Sequence, residues 1–209
     1  MRRLALLATA TLGVATAATF AGFTIKPYGD QKLNLQTGVT VMDEGGIAND
    51  ATRGVTVDAK YIEFRDNDYL RARHAKLTTR DGGSLTATNV EYTAKNGMLK
   101  ASGNMHYNND NVKGLTADSM TLDIAKRIGI ATGNVKSSRP SMSANTVIVD
   151  YANERALMVG NYRYSLGGRR LNNRSDSAVL LVTWNNQGFP SPNSKPTSEQ
   201  LAPFQPYLK

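Results

Sequence analysis

The chain has no cysteine, which excludes thiol catalysis, disulfide frameworks and cysteine-ligated zinc together. It has two histidines, His74 and His106, with no HExxH, no third ligand at useful spacing and no Gly-x-Ser-x-Gly elbow. Both histidines read as exposed strand residues. A single tryptophan, Trp184, provides no aromatic platform for a polysaccharide hydrolase or binder. Asp and Glu recur along the chain, but no two stand out as a catalytic pair, so the chain reads as non-enzymatic, with no metal or cofactor expected. No Lys/Arg block alternates with aromatics, which argues against nucleic acid as a partner. The stretch "NNDNVKG" (108–114) lacks the late acidic ligand of a calcium loop and reads as a hairpin turn. Nor does any segment carry a 3.6-residue apolar stripe over three turns.

What is present begins with a leader. Met1-Arg2-Arg3 precedes the apolar run "LALLATATLGV" (4–14), and "ATA" at 15–17 is a small-x-small cleavage signal. This predicts a signal peptide over 1–17. The uncharged run continues to Ile25, 22 residues from Leu4, long enough to serve instead as a membrane anchor over 4–25. Either reading exports the remainder. Without Arg2 and Arg3, 23 basic residues face 17 acidic ones, a net charge of +6. Such a balance suits solubility, or anionic headgroups and acidic polymers. The length of 209 residues fits one domain with its own core.

The chain repeats itself. Ala-x-x-Φ-x-Φ, with Φ apolar, occurs as "AKYIEF" (59–64), "ATNVEY" (87–92), "ADSMTL" (117–122) and "ANTVIV" (144–149). Gly-Asn follows at Gly103, Gly133 and Gly160, each 16 residues after the alanine of its unit; in the first unit Ala75 holds that position. The gap onward to the next alanine varies: 12, 14 and 11 residues. Length is constrained where strands must keep register and is free in surface loops. Each unit of about 28 residues therefore contains a fixed interval and a variable connection. Apolar residues two apart, followed by turn chemistry at 65–68, 94–97, 124–127 and 151–154, read as short consecutive strands, roughly two per unit. Glycine and asparagine tolerate a bulge or a left-handed residue at a strand bend. "KLNLQTGVTV" (32–41) reads as an opening strand pair and "AVLLVTW" (178–184) as a closing strand, giving a domain over 32–184. Five of the seven prolines fall between Pro190 and Pro206, so 186–209 reads as an extended, poorly ordered tail.

Tandem "Ala-Asp-x-Φ-x-Φ-Asp … Φ-x-Ala-x-Gly-Asn-Val" resembles the signature of the OstA-like domain family, which includes the LptA- and LptC-type proteins of lipopolysaccharide transport. "ADSMTLDIAKRIGIATGNV" (117–135) carries the resemblance best, "ANTVIVDYANERALMVGNY" (144–162) next, and it covers about residues 35–165. The resemblance implies an all-β jellyroll whose two facing antiparallel sheets form an open apolar trough. It implies a periplasmic protein that shelters the acyl chains of lipopolysaccharide or another envelope lipid. It also implies joining to like proteins, or to further copies of itself, by edge-strand addition. Period-2 alternation puts Ile62, Phe64, Val90, Tyr92, Met120, Leu122, Val147 and Val149 on one face, with Glu63, Glu91, Thr121 and Ile148 on the other. The first set reads as the trough lining; a closed core in a ligand-free structural envelope module has the same pattern. Arg71/Arg73 and Arg169/Arg170/Arg174 read either as headgroup contacts or as solvated strand faces.

Overall fold

A computed structural model describes residues 9–11, 17–80, 82–185 and 187–208. Most of the expected leader (1–8 and 12–16) lies outside the described residues. Six short strands come first: β1 (Thr9–Thr11), β2 (Ala18–Phe20), β3 (Phe23–Pro27), β4 (Lys32–Asn34), β5 (Val39–Met42) and β6 (Gly46–Asp50). Seven long strands follow: β7 (Val55–Arg65), β8 (Tyr69–Thr79), β9 (Ser84–Thr93), β10 (Met98–Asn108), β11 (Leu115–Asp123), β12 (Ile128–Ser137) and β13 (Ser141–Asp150). The chain ends with β14 (Arg155–Val159), β15 (Tyr162–Leu166), β16 (Arg169–Asn173), β17 (Val179–Trp184), β18 (Pro190–Asn193), α1 (Ser198–Leu201) and a 3-10 turn (Ala202–Tyr207). The fold is all-β, and every strand pairing is antiparallel within one continuous sheet.

The long strands bend at their centres. Ala59 pairs with Ala75 and Tyr61 with Arg73, so Lys60 and His74 are skipped; Ser102/Met105 and Thr132/Val135 mark the same break further on. The bend explains the spacing of three in Ala-x-x-Φ. Val57 and Ala59 are buried before it and Ile62 and Phe64 after it. One extra residue shifts the period-2 phase, so both halves of the strand present their apolar side chains inward. Gly-Asn makes the bend in β10 and β12 and joins β14 to β15: Gly103, Asn104, Gly133, Asn134, Gly160 and Asn161 all have positive φ, and His74 does so in β8. At Gly133 (φ +77) an added β-carbon would also run into the Asp118 carboxylate. Gly133→Ala is therefore expected to cost about 1–3 kcal/mol, read as a fall in urea midpoint with an unchanged slope.

The two halves of the bent strands form two layers. In one, β4, β5, the C-terminal half of β7, the N-terminal half of β8 and their successors run on to β14, β17 and β18. In the other, β2, β3, β6 and the complementary halves run on to β15 and β16. The fixed 16-residue interval spans the first layer and its turns of three or four residues. The variable gap spans the second layer, where the connections differ in length. Inward side chains of both layers share the same clusters: Val57, Leu77 and Leu85 pack with Ile62, Leu70 and Val90.

The first cluster is completed from the N-terminal strands. Phe20 and Ile25 are fully buried; Phe20 meets Phe64 and Tyr92 at 5.9 and 6.1 Å, and Phe23 meets Tyr92 at 5.7 Å. A membrane anchor over 4–25 would require these same side chains in the bilayer, whereas here they are strand residues of the core. Among the described residues no helix is long and apolar enough to cross a membrane. The core thus draws on β2 and β3, ahead of the opening hairpin β4–β5 expected at 32–41.

Residues 187–208 also differ from the extended, poorly ordered tail expected over 186–209 from its prolines. Pro190 and Pro192 lie in β18, an edge strand on β17, where a missing N–H is tolerated. Thr197 then starts α1 with a capping box: it accepts from the Gln200 N–H, while Gln200 reaches back to the Thr197 N–H at 3.0 Å. Phe204 follows, fully buried on the outer face of the first layer against Ile128, Ile148, Leu157 and Leu181. Arg155 stacks on its ring at 5.4 Å.

Arg155 is held by Asp150, whose carboxylate accepts from Nε at 2.8 Å and Nη2 at 2.7 Å, and from the backbone N–H groups of Ala152 and Asn153. Burial pushes the Asp150 carboxyl up, but the bonds from Asn153 and Arg155 outweigh it and hold it below its ordinary value. Asp50 repeats the pattern with burial opposed by Arg53. Both folded values lie below the unfolded one. Their stabilisation is therefore complete above about pH 4 and is lost as pH falls through the folded values. Melting temperature is expected to hold between neutrality and pH 5 and to drop below pH 4. Asp150→Asn should cost about 1–3 kcal/mol at pH 7 and flatten that acid limb.

Candidate functional site

Between the two layers the packing opens. A cavity of about 560 Å³ is lined by Val55, Leu77 and Leu85 of the second layer and by Leu99, Met120, Leu122 and Ile124 of the first. Its mouth carries Arg53, Arg80 and Arg127, all exposed. Each stands at a strand end, where the turns bring basic residues to the open side of the layers. Arg53 is neutralised by Asp50 and also reaches the Ala21 carbonyl; Arg80 donates to the Ala51 carbonyl at 2.7 Å. Arg127, the left-handed residue of the β11–β12 turn, forms no ion pair among the described residues.

The opening continues along the interior. A constriction of about 50 Å³ shares Tyr107, Met120 and Tyr151 with the first cavity and runs between Leu115, Ala131, Val147, Val149 and Met158. Beyond it, sharing Pro140, Tyr164 and Trp184, a third space of about 650 Å³ is bordered by Leu166, Phe189 and Pro190. Phe189 is exposed there. The Tyr164 hydroxyl is buried without a hydrogen-bond partner among the described residues, and burial pushes its phenol above the ordinary value. An unpaired buried hydroxyl is a polar point in the largely apolar constriction.

The structure divides the eight residues expected to line a trough. Met120 and Leu122 border the large cavity, and Met120, Val147 and Val149 border the constriction. Ile62, Phe64, Val90 and Tyr92 are buried in the N-terminal cluster, filled by Phe20, Phe23 and Ile25. The expected face is thus inward throughout, packed at one end and open at the other. The sequence reading missed Leu77 and Leu85, which belong to the second layer, and Leu99, on the neighbouring strand β10 of the first. A signal existed: Val57, Leu85, Leu115 and Met142 each stand two before the alanine of a unit, so the full pattern is Φ-x-Ala-x-x-Φ-x-Φ.

The arginines separate as well. Arg71 lies between Glu91 (2.9 Å) and Glu63 (3.6 Å) and over the Tyr69 ring at 4.3 Å; Arg73 stacks on Tyr61 at 4.6 Å. Hydroxyl bonds from Tyr69 and Tyr61, with Arg71 nearby, hold the Glu63 carboxyl below its ordinary value despite burial. That patch is a balanced network on the outer surface. Arg170 and Arg174 are exposed and form no ion pair among the described residues. His74 and His106 are exposed on β8 and β10, at or near the bends. A scan against models of known protein families matches none, and a search of curated proteins finds no match.

Proposed function

We propose that the protein is a non-enzymatic lipid carrier of the lipopolysaccharide-transport type. In this reading the two layers are the walls of an OstA-like jellyroll built from tandem units. The passage between them shelters the acyl chains of an envelope lipid or lipopolysaccharide across the periplasm. The observation that carries the proposal is the apolar cavity of about 560 Å³ between the layers, with arginines at its mouth and a continuation into the C-terminal half. Each methylene moved from water into such a lining gains about 0.8 kcal/mol. Arg80 and Arg127 suit an anionic or phosphorylated headgroup at the entrance. The unpaired Tyr164 hydroxyl suits an ester or amide carbonyl of the chain.

Transfer needs contact with other carriers, and open strand edges supply a means. At the C-terminal end β16 lies at the edge of its layer, paired on one side to β15. β18 is blunted by Pro190 and Pro192. Strand addition from a like protein or a second copy is therefore assigned to β16 in preference to β18.

A second reading, a structural envelope module without ligand, is favoured by the close packing of Phe20, Phe64 and Tyr92 in the N-terminal half. A fatty acid with a polarity-sensitive dansyl group on its chain separates the two. The carrier reading expects saturable, blue-shifted fluorescence that natural phospholipid displaces. A structural module gives neither.

A further inference from the structure

A second concave site lies at the same end of the molecule, on β12, β13, β15 and β16. Its volume is about 640 Å³, and it is bordered by Lys136, Arg163, Arg170 and Arg174 together with serine and asparagine side chains; no carboxylate borders it. The register explains how these residues meet. Lys136 pairs with Ser143, Ser143 with Arg163, and Arg163 with Asn172, one cross-strand row on one face. Ser141, Ser165 and Arg170 form the neighbouring row on that face. Tyr162 and Tyr164, on the alternate positions, also border it but are buried in the core and offer no exposed ring.

All four cations are exposed, and none forms an ion pair among the described residues. The contrast with Arg71, held by two glutamates on the same protein, is informative. Like charges on neighbouring strands repel, and here no carboxylate among the described residues pairs with them. Guanidinium groups in a row match carboxylate or phosphate groups by paired hydrogen bonds. The hydroxyl and amide side chains between them match sugar hydroxyls. Single-stranded nucleic acid calls for exposed aromatic rings to stack its bases, and the cleft has none.

We infer that this cleft binds an anionic polysaccharide, its acidic groups on Lys136, Arg163 and Arg170 and its sugar hydroxyls on the intervening serines and Asn172. The basic row lies on the opposite face of the strands from the lipid passage, with which the cleft shares only Met142 and Tyr164, so the inference does not depend on lipid binding. It equips the protein to hold a charged glycan chain, free or attached to a lipid.

The test is titration calorimetry of the full chain with oligogalacturonate, maltoheptaose and oligo-dT of matched length at low salt. Oligogalacturonate should bind, maltoheptaose should not, and oligo-dT should bind more weakly than the uronate. The double variant Arg163→Ala/Arg170→Ala should lose at least about tenfold in oligogalacturonate affinity. Because both side chains are exposed, its melting temperature and dansyl-lipid binding should be unchanged. The inference is overturned if oligogalacturonate fails to bind, if maltoheptaose binds equally, if oligo-dT binds more tightly, or if the double variant retains full affinity. Loss of dansyl-lipid binding with oligogalacturonate binding intact would sink the carrier reading alone.

Discussion

Leu122→Glu is expected to yield a folded protein that has lost lipid, whereas Ile62→Glu is expected not to fold. Leu122 is half-buried on the wall of the large cavity, so a carboxylate there can keep water while placing a charge in the path of an acyl chain. Ile62 is fully buried in the cluster that Phe20, Phe64 and Tyr92 share. An unpaired carboxylate at that position costs several kcal/mol or forces its own protonation. A loss of that size consumes much of the about 5–15 kcal/mol that holds a domain together. Circular dichroism and dansyl-lipid titration of the two variants read the difference. A wholly closed core would make both variants unfold. If Leu122→Glu folds and still binds the probe with wild-type affinity, the cavity is not the lipid site.

Phe204→Ala is expected to cost about 3–5 kcal/mol, a fall of about 6–20 °C in melting temperature for a chain of this size. The ring covers Ile148, Leu157 and Leu181 and supports Arg155, itself tied to Asp150. Truncation therefore exposes an apolar strip on the outer sheet and loosens the turn that Asp150 organises. Differential scanning calorimetry gives the loss directly, and protease cleavage within 187–197 should accelerate. A fall of less than a degree would mean that the tail does not dock in solution.

The inward alternation was legible in the sequence because its cause is local: period 2 along each half-strand, with a bend where Gly-Asn or alanine stands. Gly133 and Asn134, both left-handed, mark such a bend, and the residue counts on either side of it carry the register. Where the sheet is covered on its outer face, the sequence was read too simply. Ile148 was grouped with Glu63, Glu91 and Thr121 as a solvent-facing position, yet it is fully buried beneath Phe204. The unbroken apolar runs "TVIV", "ALMV" and "VLLV" were the available sign, since a strand buried on both faces shows no alternation. The N-terminal cluster was hidden for another reason. Phe20, Phe23 and Ile25 sit in an uncharged run whose composition is shared by a leader and by core strands. The division of the eight inward residues between a packed end and an open end could not be read locally, because it depends on which distant segment fills the space between the layers. The unpaired basic row is likewise invisible along the chain: Lys136, Arg163 and Arg170 become neighbours only through β13, β15 and β16.

Lipid extraction and mass spectrometry of the purified full-length protein test the central claim most directly. A carrier should come away with an acyl-chain lipid in near-stoichiometric amount, and Leu122→Glu prepared in parallel should come away without it. Wild-type protein that is lipid-free, and that leaves the dansyl probe in an aqueous environment, would contradict the claim.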